Sequence, residues 1–152
     1  MTGRIATRFA GALAAASVLL AVPAMAQFKK VEDAIQYRQS AFTVMANHMG
    51  RLAAMAKGEA PFDAAAAQSS ARIVDTMAKL PWEGFVPGSD KGKTGAKPAL
   101  FQNPDDVKKL SQRLNEETAK LVSAAGSLET LRPQVGATGS ACKACHDKYR
   151  EK

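Results

Sequence analysis

Cys142-Lys143-Ala144-Cys145-His146, with only Asp147 to Lys152 after it, constrains this chain more than any other feature. C-x-x-C-H is the attachment signature of a c-type haem. On a helix Cys142 and Cys145 lie about one turn apart, so both thiols reach the vinyl groups on one edge of a porphyrin. The imidazole of His146 is then held beneath the iron as an axial ligand. Other uses of the motif fit less well. Zinc needs four ligands, and the only histidine besides His146 is His48, with no further cysteine. A redox dithiol needs no following His and normally opens a helix after a strand. A disulfide over so short a loop stabilises little. The alternative left open is a haem-free helical module carrying a fortuitous motif.

Residues 1–26 read as a secretory leader. Arg4 and Arg8 supply the charge, Gly11 to Val22 the small and apolar run, and Ala24-Met25-Ala26 the cleavage site. The apolar portion is short and Ala-rich for a spanning helix, and it ends at Pro23. Cleavage leaves Gln27 as the mature N-terminus and residues 27–152 as one domain. Covalent haem attachment takes place outside the bacterial cytoplasm, so an export signal is what the motif requires. No second hydrophobic segment follows, and the mature protein is expected to be soluble and periplasmic, without a membrane role. Loss of Arg4 and Arg8 lowers the formal charge of +7 by two. The remaining basic excess serves solubility, or steering toward an acidic protein partner. Scattered Lys and Arg without interleaved aromatics argue against nucleic acid.

The mature chain is patterned for helices throughout. Ile35, Phe42, Met45, Met49 and Leu52 recur at helical spacing from about Val31 to Lys57, where Gly58 and Pro61 end the run. Asp63 suits the N-cap of a second helix reaching about Leu80, with Ile73, Met77 and Leu80 facing inward and Pro81 as its stop. Gly84, Gly88, Gly92 and Gly95, with Pro87 and Pro98, make Trp82 to Gln102 read as a long loop. Asn103-Pro104 starts a third helix with Val107, Leu110, Leu114 and Leu121 as its stripe, and Gly126 lies just past its end. A fourth runs from Ser127 or Thr130 to about Arg150, carrying Val135, Cys142, Cys145 and Tyr149 on one side. Pro133 favours Thr130 as its cap, because early helical N–H groups have no intrahelical partner. Gly136 and Gly139 leave room for a flat ring against the backbone. The fold class expected is all-α, an antiparallel four-helix bundle with covalently attached haem in its core.

Three stretches carry a resemblance to a known family. They are Gln27-Phe28-Lys29-Lys30 leading through Glu32-Asp33-Ala34 into Tyr37-Arg38-Gln39-Ser40-Ala41-Phe42, then Leu80-Pro81-Trp82, and finally Ser140 to Arg150 around the haem motif. Over the whole mature length the chain resembles the cytochromes c′, the high-spin class II c-type cytochromes. That family is itself a standard instance of the up-down-up-down bundle, so the agreement in architecture is not independent. Class I cytochromes c carry the motif near the N-terminus with a Met ligand downstream, and here no Met follows His146. The resemblance implies one haem c held by two thioethers from Cys142 and Cys145, with His146 as the sole protein ligand. It further implies an apolar cap over the opposite face at Phe42, a propionate contact at Arg38 and a second polar contact at Gln39. The i, i+4 spacing puts Arg38 and Phe42 on one face. Some members carry Leu at the cap, so the tightness of the distal pocket does not transfer.

The rival candidates are few. His48 as a second axial ligand lies off the stripe of Phe42, and a surface role is the simpler reading. Met49 and Met77 suit core filling. Met45, three residues from Phe42, is the serious thioether candidate and would give a low-spin six-coordinate carrier. Arg150 is either a basic residue beside the proximal ligand or a cation at the helix dipole. Trp82 packs the bundle end, while Thr94, Lys97 and Phe101 are candidates for the haem edge. The expected function is five-coordinate periplasmic electron transfer with binding of nitric oxide and carbon monoxide. No catalytic residues are assigned, since no acid–base pair can be placed opposite the iron. The redox partner stays unidentified, and the family implies a homodimer through the first two helices without locating a patch here.

Overall fold

A computed structural model describes residues 27–151, so the proposed leader and its cleavage site lie outside the described residues. The elements run α1 (Val31–Lys57), α2 (Ala64–Lys79), a 3-10 turn (Pro81–Gly84), α3 (Pro98–Gln102), α4 (Pro104–Ala124) and α5 (Leu128–Tyr149). Among the described residues the architecture is all-α, relieved only by an isolated bridge between Ala96 and Arg150. Among the described residues no helix is long and apolar enough to cross a membrane.

Local chemistry explains most boundaries. Gly58, at φ 79°, closes α1 in the left-handed conformation that glycine adopts without penalty. The Asp63 carboxylate accepts the Ala66 N–H at 2.9 Å, as expected of the cap of α2. Pro104 occupies the first turn of α4. The start of α5 differs from the Pro133 argument. Ser127 is the cap, accepting Thr130 N–H, while Thr130 Oγ1 donates to Ala124 O at 2.7 Å. That side-chain network ties α5 back to the end of α4 and outweighs the carbonyl that Pro133, inside the helix, leaves without an N–H donor.

Packing places α1 against α2 and α5, and α4 against α2 and α5. The seam of α2 is not the Ile73, Met77 and Leu80 face. It is Ala67, Ala71, Val74 and Ala78, all at 0 % exposure, with Ile73 and Met77 half-buried beside it. A helix pressed on two sides is filled best by small residues, which let backbones approach. The Trp82–Gln102 segment is also more ordered than a loop, holding most of the 3-10 turn and all of α3. Gly84 permits this. A Cβ there would stand 2.8 Å from Ala34 O and 3.0 Å from Arg38 Cβ, so only glycine lets the segment lie on α1.

Candidate functional site

A cavity of about 700 Å³ opens between α1, α5, α4 and the 82–96 segment, within the range of cofactor-sized sites. Cys142, Cys145 and His146 line it from α5, and Phe42 and Met45 from α1. Their burial follows helix geometry. Positions 131, 138, 141 and 149 of α5 are buried, and Cys142 and Cys145 lie half-buried beside them. A Cβ added to Gly139, also on this wall, would meet nothing within 4 Å, so the backbone there leaves space for a group lying against it.

The chemistry of the donors fits a porphyrin better than its competitors. Burial, with Asp106 and Cys142 adding at Cys145, pushes both thiols above the ordinary cysteine value. A thioredoxin-like pair would instead need a depressed value. Burial, and then the neighbouring Arg150 cation, pushes His146 down, which keeps its imidazole neutral and its lone pair free for a metal. No group of three His, Cys, Asp or Glu gathers for a bare ion among the described residues. Two thiols and one neutral imidazole on the wall of a large apolar cavity match the C-x-x-C-H chemistry.

Arg38 is the most heavily bonded side chain of the site. It is 2 % exposed and pushed down by burial, yet an arginine stays charged. Its terminal nitrogens donate to Gly84 O (2.8 Å), Ser89 Oγ (2.6 Å), Ser89 O (2.6 Å) and Thr94 Oγ1 (2.7 Å). The guanidinium also stands 4.5 Å from the Phe85 ring centroid. Four terminal N–H groups are thereby committed to the 84–94 segment, and among the described residues no carboxylate pairs with the charge. Gln39 donates from Nε2 to Lys93 O at 2.9 Å, extending the same fastening. Arg38 and Gln39 both line the cavity.

The remaining candidates separate cleanly. Met49, Trp82, Thr94 and Arg150 reach the cavity wall, whereas His48 and Met77 do not. His48 Nδ1 sits 3.3 Å from Ser70 Oγ on α2. Phe101 lines a second cavity behind Trp82 and Phe85, and Lys97 offers its backbone N–H to Tyr149 O. Sequence reasoning missed four contributors to the cavity. Phe85 packs near Phe42, Trp82 and Arg38. Leu110 and Leu114 of α4 close the far side. Tyr149, noted only for its helix face, donates to Asp106 Oδ2 at 2.6 Å and is pushed up to about 12, chiefly by that bond. Apart from Trp82 beside Phe85, the paired residues lie 43 or more positions apart, beyond any local pattern; only the aromatic content of Trp82–Phe85 hinted at them.

Residues 33–150 match the family described as Cytochrome C'. The chain is similar to cytochrome c' of Rubrivivax gelatinosus, 49 % identical over 129 residues that span 83 % of this chain and all of the relative. That protein's crystal structure superposes with a TM-score of 0.79, at 48 % identity, covering 82 % of this chain and 100 % of the other. Variants of cytochrome c prime from Alcaligenes xylosoxidans match equally fully. One with carbon monoxide bound gives a TM-score of 0.76 at 42 % identity over 82 % of this chain and 99 % of that one. A nitric oxide complex gives 0.77, again at 42 % identity, over 82 % and 98 %.

Proposed function

The chain belongs to the cytochrome c′ family, and from that premise we propose how its residues hold the haem that the family carries. As a member it is a periplasmic c-type haem protein with high-spin, five-coordinate iron that transfers electrons and binds nitric oxide and carbon monoxide, and it is not an enzyme. The finer reading is an antiparallel four-helix bundle formed by α1, α2, α4 and α5 around one haem c, with residues 1–26 removed on export. The observation that carries it is a single one: Cys142, Cys145 and His146 of α5 line one cavity together with Phe42 and Met45 of α1.

Each residue then has a task. Cys142 and Cys145 would form the two thioethers and fix the ring in rotation. His146, neutral under its surroundings, would give its lone pair to the iron. Phe42 would present an apolar ring to the haem, with no hydrogen bond to offer water. Arg38 puts a buried positive charge on the wall, suited to balance the propionates while its N–H groups hold the 84–94 segment, and Gln39 assists. The haem supplies the one-electron couple and the open position where gases bind. Homodimer formation would use α1 and α2, and the outward Val44 of α1, 40 % exposed, suits such a contact.

An absorption spectrum tests the reading. A high-spin Soret pattern is expected, with a pyridine adduct typical of two thioethers. His146→Ala should keep the covalent haem and lose the histidine-ligated spectrum, while a His48 substitution leaves it unchanged. A methionine–iron charge-transfer band would place Met45 on the iron instead.

A further inference from the structure

Tyr149 and Asp106 form a hydrogen-bonded donor–acceptor pair at the haem cavity that neither simple electron transfer nor gas binding uses. Tyr149 follows Cys145 by four residues and so shares its face of α5. It lines the cavity and is 7 % exposed. Its hydroxyl donates to Asp106 Oδ2 of α4 at 2.6 Å, the length of a charge-assisted O–H···O⁻ bond. Lys148 Nζ, 3.0 Å from the same oxygen, favours the ionised carboxylate. The chain's other tyrosine, Tyr37, also faces a carboxylate, Glu83, but does not line the cavity.

Oxidising a phenol by one electron alone is difficult, because the radical cation formed is a very strong acid. A base already bonded to the hydroxyl lets proton and electron leave together. We propose that Tyr149 is a redox-active tyrosine that surrenders an electron to the haem when the protein meets hydrogen peroxide, with Asp106 Oδ2 taking its proton. The proposal rests on the haem reading above. With ferrous protein the balance is complete. Hydrogen peroxide takes one electron from the iron, which becomes ferric, and one from Tyr149, together with two protons from solvent. Its O–O bond breaks and two waters form. The Tyr149 O–H bond breaks, leaving a neutral phenoxyl beside a protonated Asp106.

Besides the two cysteines, three other oxidisable side chains share the wall, Trp82, Met45 and Met49. Trp82 Nε1 donates to Ala78 O, a carbonyl and not a base. Met45 is 7 % exposed and would become a polar sulfoxide in the core. Tyr149 therefore spares Met45.

The test uses reduced holoprotein mixed anaerobically with stoichiometric hydrogen peroxide, freeze-quenched and read by electron paramagnetic resonance. Wild type should give a neutral tyrosyl signal. Tyr149→Phe should lose it and raise Met45 sulfoxide in peptide mass spectra, Tyr37→Phe should retain it, and Asp106→Asn should lower its yield. A signal that survives Tyr149→Phe, vanishes in Tyr37→Phe, or never forms in wild type overturns the proposal. The Soret band recorded before mixing separates the cases: its absence sinks the haem reading and this proposal together, while its presence confines the failure to Tyr149.

Discussion

In the proposed reading Phe42 decides what reaches the iron. Its ring lies edge-on to Trp82 with centroids 6.1 Å apart and at 6.4 Å from Phe85, so it must swing out of an aromatic cluster to admit a ligand. An apolar ring gives no support to bound water or to the partial charge on bound dioxygen, on which nitric oxide and carbon monoxide depend less. Phe42→Ala should therefore speed carbon monoxide association to the ferrous protein at least about tenfold, equivalent to roughly 1.4 kcal/mol of barrier. Flash photolysis measures it, and unchanged rates would place the cap elsewhere. Arg38 makes the opposite kind of contribution, to the shape of the wall. Its loss leaves the buried Ser89 O without its donor and takes a donor each from Gly84 O, Ser89 Oγ and Thr94 Oγ1, which keep only the long Ser89 Oγ–Gly84 O contact at 3.5 Å and the Ala96 N–H to Thr94 Oγ1 at 3.1 Å. At about 1–3 kcal/mol for each unsatisfied buried group, partly recovered by entering water, Arg38→Leu should cost about 3 kcal/mol in a denaturant titration. Arg38→Lys should recover only part of that, because an ammonium lacks the planar fork that spans Ser89 and Thr94.

At the level of elements, the end of α5 is secured from two sides. The Lys97 N–H donates to Tyr149 O and the Glu151 N–H to Gly95 O, while the Tyr149 hydroxyl reaches the first turn of α4. The hydroxyl of Tyr149, and then Lys148, hold the Asp106 carboxyl below its ordinary value. A depressed carboxylate stabilises fully above its unfolded value, about 3.9, and loses that contribution as pH falls through the folded value. Tyr149 acts at the other end: the unfolded phenol releases its proton near 10 and the folded one at about 12, so stability falls across that window as pH rises. Thermal unfolding of wild type and Tyr149→Phe should differ at neutral pH and converge in acid below the Asp106 value. A difference that stays constant to low pH would show the tie to be idle. The sequence made the end of α1 and the starts of α2 and α4 legible, because Gly58, Asp63 and Pro104 act on their own backbone. It did not reveal the seam of α2 or the start of α5, which depend on neighbours far along the chain. The site divides in the same way. Cys142, Cys145 and His146 are local in spacing and were legible, whereas the Arg38 cradle and the Asp106 contact are made across 43 to 56 residues.

For the whole molecule, the question is what fills the middle. Among the described residues seven of the seventeen buried apolar residues are alanines, including Ala67, Ala71, Ala78, Ala125 and Ala141, and each contributes little burial. Leu52, Val74, Leu121 and Leu131 are the bulky apolar side chains at 0 % exposure. Against this modest core stands a cavity of about 700 Å³. Open space of that size forfeits contacts along its entire lining, and residual cavity volume costs about 24 cal/mol per Å³ where a core cannot collapse. The cavity is partly open to solvent, so that coefficient is an upper bound for it, about 17 kcal/mol, yet a fraction of this already rivals the 5–15 kcal/mol that holds a domain folded. Helices α1 and α5 must then close on each other or unfold, and the Arg38 cradle and the clamp at Tyr149 resist closure because they fix the walls from outside. A porphyrin in the space reverses the sign by burying its own apolar faces against Phe42, Met45, Leu110 and Leu114. Replacing both Cys142 and Cys145 by Ser should thus leave an exported protein that is largely unfolded or degraded, with weak helical circular dichroism and no cooperative melt. A haem-free double variant that melts cooperatively with full helical content would show that the four long helices hold themselves together, and that the cavity is a tolerated opening in a core already sufficient without its cofactor.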